Sequence, residues 1–155
     1  MQVTSLEQLA KEIQRRVNIV LQTKVAEVVK EQMVEVIKDE TYKQYIPGEY
    51  ERREEYGLSD IRNMDMKVVD TNTIAIKNET TGNELYSHSD GWDSGLIDGI
   101  IVSGRGYHWF RSEIYNAHPP IARDFYSGTV RKLRDNKLHI SEMKNGLEGT
   151  GLIVK

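Results

Sequence analysis

The sequence predicts an α+β domain: a long N-terminal helix, a small antiparallel β-sheet, and a C-terminal helix or helices packed on one face. Three observations predict it. Apolar residues recur at helical spacing through residues 5–39, two short alternating runs lie between 66 and 78, and a second helical pattern occupies 120–136. The 155 residues suit a single domain, 1–155, with one modest core.

The first helix carries the strongest signal. Leu6, Leu9, Ile13, Val17, Val20, Leu21, Val25, Val28 and Val36 form one apolar stripe. Ser5 with Gln8 has the spacing of a capping box. A helix of about 35 residues would span roughly 50 Å at 1.5 Å per residue. A domain of this size has an expected radius of gyration of only about 15 Å. The helix therefore either breaks near Gln22–Lys24 or lays its exposed part against another chain.

Pro47-Gly48 ends the helical region, and residues 49–63 read as irregular or as a short helical turn. MKVVD (66–70) and TIAIKN (73–78) alternate in polarity around turn residues at Asp70–Asn72, which is the pattern of a β-hairpin. A polar loop follows over 79–95. LIDGIIV (96–102) fits a buried strand or a short helix, and 104–120 is an irregular run rich in aromatics. In the last helix Pro120 suits the first turn, with Phe125, Val130 and Leu133 inward and Arg131, Lys132 and Arg134 outward. Lys137–Gly146 extends the helical pattern with Leu138, Met143 and Leu147 inward. Gly149 and Gly151 stop it, and LIVK fits an edge strand.

The totals exclude several classes. A net charge of −3 offers no basic field for nucleic acid. The absence of cysteine removes disulfides, thiolate metal sites and cysteine nucleophiles. The N-terminus lacks an apolar signal-type core, and no apolar window is long enough to span a membrane, so the expected address is the cytoplasm or an assembly built there.

No reaction is written in the side chains. His88, His108, His118 and His139 lack ligand spacing; a spatial site from His88, Asp90, Asp93 and His108 is conceivable, but polar loop residues are the ordinary reading. Asp90, Asp93, Asp98 and Glu113 read as turn acids rather than a glycosidase pair. VSGRG (102–106) matches neither a nucleophile elbow nor a phosphate loop. We therefore expect no enzyme, no catalytic, cofactor-binding or metal-binding residue, and no cofactor. Arg131, Lys132, Arg134, Lys137 and Lys144 form a cationic face near the C-terminus, which leaves a small regulatory or nucleic-acid-binding protein working through 131–144 as the alternative; a small hydrolase ranks below it.

The stretch YKQYIPGEYERREEYGLSD (42–60) suggests contact surface instead. Tyrosine and arginine are enriched where proteins meet, because each joins a broad apolar body to a polar end. Tyr45, Tyr50, Arg52, Arg53 and Tyr56 here, with Trp92, Tyr107, Trp109 and Arg111 in the later loops, are the candidate interface residues. Packing of these tyrosines back onto the first helix is an equally good reading, and the two are compatible.

Two pieces carry a family resemblance: YKQYIPGEYERREEYGLSDIRNM (42–64) and IARDFYSGTVRKLRDNKLHISEMKNGLEGTGLIV (121–154). In their order along the chain they resemble the head–tail joining, or tail-completion (neck), structural proteins of siphophages of Gram-positive bacteria. The resemblance implies an α+β ring subunit in the virion at the head–tail junction, made in the host cytoplasm. Its implied partners are other phage structural proteins (connector or adaptor, tail tube or terminator) and further copies of itself. It implies no membrane contact, and no nucleic acid beyond packaged DNA in the lumen.

Overall fold

In the computed structural model the described residues are 5–44, 53–81, 97–104, 122–152 and 154. One unbroken helical rod runs through the first segment. It consists of α1 (Leu6–Val20), a π-helical turn (Leu21–Val25), α2 (Ala26–Val36) and a second π-helical turn (Ile37–Tyr42). Ser5 caps it: its side chain accepts the Gln8 amide at 3.2 Å. The break expected near Gln22–Lys24 is resolved as a π turn. The apolar stripe steps by five residues between the buried Val20 and Val25. In an α-helix that step would rotate Val25 off the face; the wider π turn restores it.

A β-hairpin of β1 (Met64–Asp70) and β2 (Thr73–Asn78) lies along one flank of the rod. Met64 pairs with Asn78, Met66 with Ile76 and Val68 with Ile74, and an irregularity falls between Val68 and Asp70. Met64, Met66, Ile74 and Ile76 thereby share a face. The hairpin tip reaches α1, where Gln14 donates to the Thr71 carbonyl and to the Asn72 side chain. Among the described residues the sheet has two strands.

The ambiguous run at LIDGIIV is helical from Asp98 onward: α3 spans Asp98–Ser103. The last helical region is two helices, α4 (Phe125–Asn136) and α5 (Leu138–Gly149). Helix α4 starts five residues later than Pro120 suggests, because Asp124 supplies the N-cap by accepting the Ser127 amide at 3.0 Å. Lys137, with φ 55°, forms the junction. Asn136 braces that junction: it accepts the Leu138 amide and donates to Gln32 at 2.8 Å.

Helices α4 and α5 run antiparallel to the rod. Gly128 approaches Val36 and Glu40, and Gly146 approaches Val20. Arg16 then donates to the Thr150 carbonyl at 2.6 Å where α5 ends. The inner face of α4 is Phe125, Gly128 and Thr129; Val130, expected inward, is 56% exposed, as the rod is met one residue earlier. Leu138, also expected inward, sits on the outer side of the junction. Leu152 and Val154 are not in a strand.

The core lies where rod, hairpin and α4 meet: Met33, Val36, Ile37, Leu58, Met64 and Phe125 are all buried, with Tyr42, Ile76, Ile101 and Tyr126 packed around them. Each such side chain contributes on the order of 1.5–3 kcal/mol by leaving water. The close approach of α5 tests the packing. A Cβ on Gly146 would stand 2.4 Å from Val20 Cγ1. Gly146→Ala is expected to cost about 1–3 kcal/mol in urea unfolding, and adding Val20→Ala should not add the full cost of its own cavity.

Candidate functional site

Residues 53–63 form a tight knot beside the core, and the sequence explains each part. Gly57 has no room for a side chain, since a Cβ would lie 2.0 Å from the Arg53 carbonyl oxygen. Leu58, 3% exposed, anchors the knot in the core. Gly57's carbonyl accepts the Asp60 amide at 3.0 Å and the Asn63 side chain at 2.9 Å. Asp60 caps the 3-10 turn Ile61–Asn63 and gathers the knot: it accepts the Tyr56 amide at 2.7 Å, the Arg62 amide at 3.0 Å and the Arg62 guanidinium at 2.6 Å.

The clamp presents Tyr56 outward in a conformation that non-glycine residues seldom adopt, with φ 52°. Arg62 stacks on its ring at 4.3 Å from the centroid. Tyr56 is 58% exposed and the neighbouring Ile61 is 41% exposed. Shallow grooves open on both sides of Ile61 along the rod: Glu31, Val34, Lys38 and Ser59 line one, and Thr23, Ala26, Glu27 and Met66 the other. The result is a rigid tyrosine–arginine plate beside an apolar knob, which is the chemistry of a protein contact.

Of the nine interface candidates, Arg53 and Tyr56 fall within the described residues; Tyr45, Tyr50, Arg52, Trp92, Tyr107, Trp109 and Arg111 lie outside them. Arg53 is exposed and donates to the Thr81 carbonyl at 2.6 Å. The sequence reading missed Arg62, Ile61 and the clamping role of Asp60. The available signal was the Asp-x-Arg spacing directly after GLS, which fits a side-chain cap followed by its counter-ion.

The other candidates resolve differently. His88, His108, His118, Asp90, Asp93 and Glu113 lie outside the described residues. Among the described residues no group of three or more His, Asp or Glu could hold a metal ion. Asp98 is a core residue, 7% exposed, accepting the Tyr126 hydroxyl at 2.9 Å. The cationic face is partly neutralised by the rod, with Arg131 on Glu40 and Lys132 on Glu35. Among the described residues no helix is long and apolar enough to cross a membrane.

Exposed apolar side chains gather away from the core. Leu6, Leu9 and Ile13 continue the buried stripe beyond the end of α5, at 86%, 41% and 39% exposure. Val68 and Val69 stand exposed near the hairpin tip. The rod therefore carries its contact face about three turns past Arg16, where the α5 seam stops.

Long elements, an exposed apolar stripe on α1 and the Tyr56–Arg62 stack are the features that the described residues bring to the surface. Comparison of the sequence with known families sets it among phage proteins. The chain belongs to the YomN family, matched over residues 5–149, a phage-type family with YomN of a Bacillus prophage. No curated protein and no solved structure matches the chain.

Asp60's carboxyl is held far below the ordinary carboxylate range, by Arg62's side chain first and then by the Arg62 and Tyr56 amides. A depressed pKa stabilises the fold above the unfolded carboxylate value, near about 4, and the stabilisation fades as pH falls toward the folded value. Glu12 behaves alike, brought down to about 2 by Arg15 and then Arg16. An NMR acid titration should find the Tyr56 amide unmoved until well below pH 4. In Asp60→Asn that amide should lose its acid transition and take a different shift at neutral pH.

Proposed function

We propose that this protein is a structural subunit of the phage virion at the head–tail junction, a connector, neck or tail-completion ring component acting through protein–protein contacts and catalysing no reaction. The observation that carries this reading is the uncovered apolar stripe of α1: Leu6, Leu9 and Ile13 extend the core-forming face of the rod into solvent. A free-standing enzyme of this size gains nothing from such an arm, whereas a subunit meets its neighbours with one. The Tyr56–Arg62 plate supplies a second, polar-rimmed contact. Membership of a phage-type family supports a phage protein; the head–tail position rests on the resemblance carried by residues 42–64 and 121–154.

In this reading the protein is made in the host cytoplasm and ends in the particle. Its partners are the adaptor, the tube or the terminator, and sister copies in a ring. Heterologous contacts that close on themselves give such rings. The regulatory or nucleic-acid reading is weakened by the rod's own acids, which occupy Arg131 and Lys132.

Mass spectrometry of purified particles tests the role: the protein should be present at a fixed stoichiometry relative to the portal, and its absence would overturn the assignment. A variant separates contact from folding. Glycine accepts positive φ freely, so Tyr56→Gly should hold stability within about 1 kcal/mol of the parent. Its incorporation into particles should nevertheless fall about tenfold or more, because the exposed ring is gone.

A further inference from the structure

The outer edge of β1 is unpaired among the described residues, and its sequence fits one occupant. Among the described residues β1 pairs with β2, along one side. Its other side runs beside the shallow groove lined by Thr23, Ala26, Glu27, Ile61 and Met66. Open edges of this length are templates for another strand, and proteins commonly blunt them. The irregularity between Val68 and Asp70 ends the regular ladder, so the evenly paired part of β1 is Met64–Val68.

We infer that β1 pairs with β1 of a second copy, antiparallel about a two-fold axis at Met66. The registers can be ranked by elementary rules. Residues directly opposite one another share a face of the sheet, so the apolar set Met64, Met66 and Val68 must meet itself. This removes every register that sets Met66 opposite Lys67 or Asp65. Centring on Lys67 opposes two lysines, and centring on Asp65 opposes two aspartates. Centring on Met66 places each Asp65 opposite Lys67 of the second copy and each Met64 opposite its Val68. Both charged side chains reach solvent, at 43% exposure for Asp65 and 70% for Lys67, and Lys67 already pairs with Glu79 at 3.3 Å in its own chain, so the second copy's Asp65 would join that pair. Within one chain they sit only loosely together, at 3.6 Å. The union is a four-stranded sheet, β2-β1-β1-β2, a strand-addition contact between identical partners.

The contact closes after two copies and is additional to any ring contact. It goes beyond the virion role and does not rest on it, because the measurement contains no phage partner; its failure leaves that role standing. The test is sedimentation of the purified full chain across a concentration series. The expected result is a reversible dimer. Asp65→Lys or Lys67→Asp alone sets like charges opposite each other twice, and should weaken the dimer about tenfold or more. The double reversal Asp65→Lys with Lys67→Asp should return its affinity to within about threefold of the parent.

The chain has no cysteine, so an introduced one is unambiguous. Met66→Cys should oxidise to a disulfide-linked dimer, since opposed strand positions lie within bridging reach. Ala75→Cys on β2 should not. A chain that stays monomeric, a dimer indifferent to both single reversals, or cross-linking through Ala75 in place of Met66 would each overturn the inference.

Discussion

Asn78 holds the molecule together at the point where its parts would otherwise separate. It is the last residue of β2 and is completely buried. Its side chain donates to the Leu58 carbonyl at 2.7 Å and accepts the Thr80 amide at 3.0 Å. Its own amide donates to the Tyr126 hydroxyl at 2.9 Å, and that hydroxyl donates onward to Asp98. The Asn78 side chain thus ties the hairpin to the knot, and its backbone amide ties it through Tyr126 to α4 and α3. Burial, aided by Asp98, pushes the Tyr126 hydroxyl far above the ordinary tyrosine range, so it stays a donor at any physiological pH. Each of these groups is costly to bury alone and favourable only when all are satisfied.

That constraint explains how a small core carries long extensions. The main apolar cluster lies toward one end of the rod, around Ile37, Met64 and Phe125, with Val20, Val25 and Ala26 buried further along it. From there the hairpin and the α4–α5 pair run back along the rod on separate flanks. Each is braced by polar contacts at its far end: Gln14 at the hairpin tip and Arg16 at the end of α5. The rod between them presents the Ile61 grooves, and beyond them it presents Leu6, Leu9 and Ile13. The hub and the Asp60 clamp hold these surfaces in place through hydrogen bonds made within the chain.

Much of this was legible in the sequence, and the exceptions have physical causes. The rod, the hairpin and the last helical region announce themselves by period, because an amphipathic face must repeat. The π turn at Leu21–Val25 left only a five-residue step, which periodicity alone cannot tell from a break. Helix α4 begins at Phe125 rather than near Pro120 because Asp124 is a stronger start signal than a proline in the first turn. Val130 was misplaced because two helices meeting at glycines, Gly128 and Gly146, bury backbone where a pattern reader looks for large side chains. Of the site, Tyr56 was singled out by composition alone. Its left-handed backbone and its partner Arg62 depend on Asp60's geometry, which no spacing rule states.

The central claim is that the Tyr126 hydroxyl, held by Asp98, joins the Asn78 backbone amide of the hairpin to α4. A double-mutant cycle in urea unfolding measures this on the two side chains that meet at that hydroxyl, using Tyr126→Phe, Asp98→Ala and the combination. The account predicts that each single change costs about 2–3 kcal/mol by leaving buried partners unsatisfied, and that the pair costs at least about 1 kcal/mol less than their total. Strict additivity, or a Tyr126→Phe variant as stable as the parent, would contradict it.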